Sequence, residues 1–393
     1  VLLSDIRNEI NDDQAIISYF IDINSVYILG ITNNNFTINK KKINNKQFSK
    51  LIAKVIKSVK ISETGKLNKF DFKNSKIIYD IILKPVENII LDKKELIIIP
   101  HKSLSSLPIE ILVSNKTKAT NLFIYSKVDW VGKKFAISYY PSIYSFYNLK
   151  KVNFSKAKYS FLGLGNPDLR SSNKAVTKKM DYSKLMSRGI ANSDEIRKMN
   201  NLPETADELN FIANIFKKNS KLYLGKDFNE KKIKSLDLSN YRFISFATHA
   251  VIANQINNIA EPGLILTPPK KSTKDNDGIL TVTEIEKLNL NSDIVILSAC
   301  NTASNDGSPN GEGLSGLTSA FFQAGTKSML VTHWDVETNS AVKLTTGALS
   351  KYNKETNLSV ALQNTKIEMI SNDKTSHPFF WAPFTLIGNI QGN

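Results

Sequence analysis

One cysteine, Cys300, stands in 393 residues. An internal disulfide and any site built from several thiolates are thereby excluded. Histidine is nearly as scarce: His101, His249, His333 and His377 are scattered along the chain, and their spacing shows no set of metal ligands. Neither a metal nor an organic cofactor is expected. No apolar stretch reaches the roughly 18 residues that a membrane-crossing helix needs. The longest are broken by Lys, Asp or Pro, so the expectation is a soluble, cytoplasmic protein with no membrane partner. The first residue is Val1 rather than Met, and the chain is read as a fragment or a processed form whose targeting is not judged.

What is there is an ordinary globular composition, 41% hydrophobic and 22% charged. The length suggests two to three domains or subdomains. The formal net charge is +16, from 52 Lys and Arg against 36 Asp and Glu. Such an excess invites a nucleic-acid reading. The lysines, however, are spread among asparagines and isoleucines, and only Asn39 to Lys42 cluster, in what reads as a solvated turn. No basic stripe is interleaved with aromatics, so direct nucleic-acid contact is not expected.

Two stretches carry the chemistry. In Asp293-Ile-Val-Ile-Leu-Ser-Ala-Cys300, four consecutive apolar residues end in small ones and then the cysteine. A short, uninterrupted, β-branched run reads as a parallel strand buried on both faces. Phe243-Ile-Ser-Phe-Ala-Thr-His249 has the same design and ends in a histidine. Both residues therefore stand at carboxyl ends of strands, the edge at which open α/β sheets bind ligands. A thiol and an imidazole delivered there are the parts of a cysteine nucleophile and its base.

Around them, strands and helices alternate. Residues 15–22 and 26–32 form strands joined through Asn24-Ser25, and 48–59 and 74–83 are helices. Strands at 95–100 and 135–141 follow, the second leading into a helix from Ser142 to Leu149. Residues 159–167 are a strand whose Gly163-x-Gly165 pair is weak evidence for a nucleotide loop. Residues 168–202 read as a long polar loop, and Pro203 opens a helix that runs to about Lys217. Short strands at 222–224 and 263–267 flank the His249 run, and Thr281 or Thr283 caps a short helix. The match of Gly311-x-Gly313-x-x-Gly316 to a dinucleotide fingerprint is rejected, because about eleven residues separate it from its strand. An apolar helix at 313–325, a strand at 327–334, helices at 340–352 and 358–370, and a strand at 384–387 complete the order.

Phe246-Ala-Thr-His249, Leu297-Ser-Ala-Cys-Asn-Thr302, Gly311-Glu-Gly-Leu-Ser-Gly316, Ala324-Gly325, His333-Trp-Asp-Val336 and His377-Pro-Phe-Phe-Trp-Ala382 stand in the order seen in the CHAT-domain family. Ile99-Pro100 through Leu107-Pro108, Ala136-Ile-Ser-Tyr-Tyr-Pro-Ser142 and Leu202-Pro-Glu-Thr205 resemble its amino-terminal half. The family comprises caspase-like cysteine peptidases related to separases and gingipains, usually following tetratricopeptide repeats. The resemblance runs from about residue 15 to the end. It implies an α/β fold with a caspase-like, mostly parallel sheet flanked by helices. It also implies an inactive caspase-like half over 1–155 and a catalytic half over 156–393. A repeat array would have preceded Val1.

By that resemblance the chain is a cysteine endopeptidase that cuts a protein or peptide substrate at a restricted site. Cys300 is the nucleophile and His249 the base. The backbone N–H groups of Cys300 and Ala250 form the oxyanion hole. The family usually has glycine where Ala250 stands, and a Cβ there restricts the chain if positive φ is required. Acidic residues near the strand ends, Asp306, Glu312, Asp335 and Glu337, suit a basic P1 side chain, with Trp334 as a wall; equally, they cap helices. Control by a repeat region or a regulatory protein is expected. Taken singly, a cysteine in an apolar setting is commonly inert. His101 reads as a surface loop residue, and His333 and His377 as packing or hydrogen-bonding residues. The alternative functions are a catalytically silent CHAT module serving as an interaction or signalling scaffold, and a basic nucleic-acid scaffold.

Overall fold

Runs in which every side chain is apolar mark the strands that helices cover on both faces. The computed structural model describes residues 1–62, 65–115, 124–152, 155–169, 186–187, 190–251, 261–299, 316–352 and 357–388. Their strands are, in chain order, β1 (Gln14–Ile21), β2 (Ser25–Ile31), β3 (Phe36–Lys42), β4 (Glu95–Ile99), β5 (Ala136–Tyr139) and β6 (Tyr159–Pro167). Next come β7 (Met186–Ser187), β8 (Ile190–Ala191), β9 (Ser220–Gly225), β10 (Tyr241–Ala247), β11 (Ala250–Val251), β12 (Gly263–Ile265) and β13 (Ile279–Thr281). The last are β14 (Ile294–Ser298), β15 (Ser328–Thr332) and β16 (Phe384–Ile387).

The described residues group into two bodies, one of those up to 152 together with those from 343 onward, the other of those within 155–299 together with 316–342. The carboxyl-terminal helix Leu358–Ser371 and β16 group with the amino-terminal residues. In the first body the strand order is β3-β2-β1-β4-β5-β16. The β1–β2–β3 meander is antiparallel; β1/β4, β4/β5 and β5/β16 are parallel. Isoleucines 16, 31, 97 and 99 from three strands pack with Ile6 and Phe146 from the helices at 3–8 and 143–150, and with Ile10 just beyond the first of these helices. A buried ion pair, Lys366 Nζ to Glu110 Oε1 at 3.1 Å, sits inside this body, and the Tyr139 hydroxyl donates to the other Glu110 oxygen at 2.7 Å. Both charges are hydrogen-bonded, which is the condition for keeping them buried.

In the second body the order is β15-β14-β10-β6-β9, and every pairing is parallel. Helix Glu204–Phe216 lies on β6 and β10 and buries Thr205, Glu208, Leu209, Ile212 and Ala213. Phe216 stacks between Phe161 and Phe243, with ring centroids 5.7 and 5.0 Å away. The Gly163-x-Gly165 pair has a packing reason. A Cβ on Gly165 would come within 2.8 Å of Leu209 Cδ1 and 2.6 Å of the Ala247 carbonyl oxygen, so glycine lets helix and strand close together. At the amino ends of the strands, Asp293 is fully buried and accepts from Ser155 N–H, Arg242 Nε and Lys327 Nζ at 2.6–2.8 Å. That edge is fixed by paired charge.

The expected α/β class, a mostly parallel sheet flanked by helices, is present in each body. Three local expectations change. Asn39 to Lys42 belong to an edge strand, not a turn: exposed on the outside of β2, β3 has no buried face to give an apolar alternation, and edge lysines discourage further pairing. Part of the long polar loop folds as the β7/β8 pair and a helical turn at Ser193–Ile196. Finally, β11, β12 and β13 form a separate antiparallel sheet directly after β10. Thr281 is the N-cap of the short helix Val282–Ile285, with Glu284 completing a capping box.

Candidate active site

Parallel pairing sets the register of the two strands that lead to the candidate residues. Phe243 faces Ile294, and the ladder runs in step to its last pair, Ala247 with Ser298. His249 follows Ala247 by two positions in the sequence, and Cys300 follows Ser298 by two. Cys300 and Asp306 lie outside the described residues, as does Glu312. The chain is described up to Ala299, whose carbonyl accepts a hydrogen bond from Thr332 Oγ1 at the end of β15.

The backbone at His249 is held from both sides. Thr248 Oγ1 donates to the Ile265 carbonyl at 2.5 Å, and the Ile265 N–H donates to the His249 carbonyl at 2.9 Å. The small antiparallel sheet therefore grips the chain as it leaves β10. The imidazole is half-buried, and its Nε2 lies 2.8 Å from the Asn200 carbonyl oxygen. A carbonyl can only accept, so Nε2 carries the proton, and in the neutral ring Nδ1 carries the lone pair. Burial lowers the pKa of His249, against the opposing pull of the Asn200 carbonyl and of the Glu204 and Asp335 carboxylates. A ring that is neutral near pH 7, in a fixed tautomer, is chemically a base.

Ala250 lies in β11, opposite Leu264. Because Ile265 N–H bonds the His249 carbonyl, Ala250 and Leu264 form a non-hydrogen-bonded pair, and the Ala250 N–H points away from β12. No described residue accepts a hydrogen bond from it. Its φ is not in the left-handed region, so the Cβ adds no backbone strain.

Of the acidic candidates, Asp335 is exposed and acts on His249. Glu337 is a helix cap: it accepts from Ser340 N–H at 2.8 Å and Asn339 N–H at 3.1 Å. Those bonds and the Ser340 hydroxyl outweigh burial and hold its carboxyl below the usual value. Trp334 is buried, 2% exposed, with its ring centroid 6.2 Å from that of His333. His377 is an N-cap, accepting from Phe379 N–H at 3.0 Å through Nδ1, with Nε2 3.0 Å from the Asn68 carbonyl; burial lowers its pKa to about 4. Its expected hydrogen-bonding role is what the contacts describe.

Sequence reasoning missed the segment that reaches the strand ends. Asn200 contributes only its backbone, which leaves no mark in a sequence. Thr205 Oγ1 accepts from Asn166 N–H at the end of β6 at 2.9 Å. Ser298 Oγ donates to Glu208 Oε2 at 2.9 Å. Glu208 could have been found: it occupies a position on the buried 205-208-209-212-213 stripe, where a carboxylate is out of place.

Among the described residues no group of three or more His, Cys, Asp or Glu could hold a metal ion, and no helix is long and apolar enough to cross a membrane. No curated protein matches the chain. Among solved structures, the Saccharomyces cerevisiae separase–securin complex is 10% identical and covers 99% of this chain at a TM-score of 0.55. This chain spans 31% of that separase chain. The Arg-specific cysteine proteinase gingipain R is 9% identical over 88% of this chain and 74% of its own, at a TM-score of 0.44, too low to bear on the fold. At 10% identity the likeness to separase concerns the fold alone, and that fold is caspase-like. The sequence model of the CHAT domain matches residues 73–389, most of the length, and the chain belongs to the CHAT domain family.

Proposed function

We propose that this protein is a cysteine endopeptidase in which Cys300 and His249 act as a dyad. The observation that carries the reading is the register: the last matched pair of β10 and β14 is Ala247 with Ser298, and base and nucleophile each follow by two residues. The Cys300 thiol gives its proton to His249 Nδ1, and the thiolate attacks the scissile carbonyl carbon. The oxyanion rests on the N–H groups of Ala250 and Cys300. The C–N bond breaks as the imidazolium returns its proton to the leaving amine, and water then hydrolyses the thioester. In support, the Ala250 N–H is turned away from its ladder, and Asn200 fixes the proton on Nε2.

Asp335, exposed near the imidazole, is read together with Asp306 as part of a cleft for a basic P1 side chain. Trp334, being buried, serves as a supporting wall. Residues 1–155 act as a pseudo-caspase-like half, having no cysteine, and 156–393 as the catalytic half. A protein partner, such as a tetratricopeptide-repeat region, controls access; the separase structure, solved as a complex with securin, is a precedent in another protein.

The test is a peptide-based thiol probe with arginine at P1. Labelling of the unmodified chain that is lost in both Cys300→Ala and His249→Ala supports the peptidase. No labelling and no cut in a peptide library, with the fold intact and the expected partner present, would favour the silent scaffold.

A further inference from the structure

A buried carboxylate needs a reason, because removing its charge from water is costly unless it is hydrogen-bonded. Glu208 is 2% exposed on the stripe of helix Glu204–Phe216 that packs against β6 and β10. A leucine there would serve the packing. Instead, Oε2 accepts from Ser298 Oγ at 2.9 Å, and Ser298 is the last residue of β14. Glu208 also belongs to a continuous segment with two other strand-end contacts. The Asn200 carbonyl accepts from the His249 ring beyond β10, and Thr205 Oγ1 accepts from Asn166 N–H on β6. In the sheet β14, β10 and β6 are consecutive. Residues 200–208 thus touch the carboxyl ends of three neighbouring strands.

We propose that Glu208 is a positioning residue of the dyad: through Ser298 it fixes where β14 releases the chain toward Cys300, while Asn200, eight residues earlier, fixes the imidazole. The inference rests on the Cys300/His249 reading. Segment 200–208 is a brace that sets nucleophile and base relative to each other, and loosening its Glu208 end separates them without removing either. Ser298 and Glu208 need not touch substrate for this.

The single cysteine makes the test clean, since iodoacetamide then reports on one thiol. Alkylation rate against pH is measured for the unmodified chain, His249→Ala, Ser298→Ala, Glu208→Asp and Glu208→Gln, with thermal unfolding alongside. The unmodified chain is expected to show a thiol titrating below the ordinary value of about 8.5, displaced upward in His249→Ala. Ser298→Ala and Glu208→Asp are expected to raise it by about one unit, slowing neutral-pH alkylation about tenfold, in proteins that still fold but with an unfolding midpoint lowered by the carboxylate's lost donor. Glu208→Gln, whose amide oxygen still accepts from Ser298, retains most of the shift. Should Glu208→Asp fail to fold, Ser298→Ala, which deletes one oxygen, carries the test. Folded Ser298→Ala and Glu208→Asp proteins with unaltered profiles would overturn the positioning role and leave the dyad standing. An ordinary thiol in the unmodified chain, unaffected by His249→Ala, would overturn the dyad and the brace together.

Discussion

Both bodies of the molecule place a histidine just beyond a buried parallel strand, and they use it in opposite ways. After β4 in the first body, His101 turns Nδ1 to accept the Ile21 N–H at 2.9 Å, and its ring stacks on Phe20 at 4.9 Å. After β10 in the second body, His249 donates from Nε2 to the Asn200 carbonyl. An imidazole nitrogen that accepts a backbone proton has spent its lone pair. One that donates to a carbonyl leaves the lone pair of the other nitrogen for chemistry. Strand followed by histidine is therefore not a catalytic signal in itself. The polarity of the backbone group waiting at the ring decides, and in the second body that group is supplied by the lead-in to a helix that also holds the neighbouring strand ends.

The contrast can be broken most severely by exchanging each histidine for alanine. His249→Ala is expected to lower kcat by about a thousandfold or more, as loss of one member of a catalytic unit does. His101→Ala should leave kcat/KM unchanged and cost about 1 kcal/mol, the worth of a lost hydrogen bond. Steady-state cleavage of the best library peptide, with denaturant unfolding, measures both. Equal loss of activity in the two variants would erase the distinction.

Ala250 offers a finer cut. In β11 its N–H points away from the ladder, so proline can remove that donor without breaking a strand hydrogen bond. Ala250→Pro should reduce kcat about a hundredfold, the usual loss for an oxyanion donor, while the unfolding midpoint moves little. Ala250→Gly should be close to neutral in both, since φ is not in the left-handed region.

The closeness of helix Glu204–Phe216 to β6 gives a stability test of the brace. In Gly165→Ala the new methyl would meet Leu209 and the Ala247 carbonyl, and overpacking of this kind costs about 1–3 kcal/mol. Denaturant unfolding reads the loss. The smallest expected effect is in pH dependence. Burial favours neutral His249, so the acid limb of kcat/KM should fall below the ordinary value of about 6.5, with activity lost as pH drops through it. The Asp335 charge pulls the other way, and Asp335→Asn should move that limb lower still.

How much of this could be read from the chain follows from burial. The strands that flank the site, β10 and β14, were legible because helices cover both faces and the code is a solid apolar run. Helix Glu204–Phe216 was legible through its proline, its acidic first turn and its apolar stripe. The exposed β3 was not, since an edge strand beyond the core needs no apolar face. The β11–β12–β13 sheet was only partly legible: two- and three-residue strands fall below the length at which periodicity has meaning. At the site, the candidate base stood out by residue type, whereas its orienting partner is a main-chain oxygen, silent in sequence. Glu208 gave a signal that went unread, a carboxylate at a core position of a helix.

The central claim is that the His249 imidazole is held as a neutral base with its proton on Nε2 and is coupled to the Cys300 thiol. Nitrogen-15 spectra of the histidine rings, recorded from about pH 4 to about pH 9 for the unmodified chain and Cys300→Ala, test it most directly. The account expects His249 to show the Nε2–H tautomer at neutral pH, and its titration to fall to lower pH once the thiol and its thiolate are gone. A ring protonated on Nδ1, or identical titrations with and without the thiol, would contradict it.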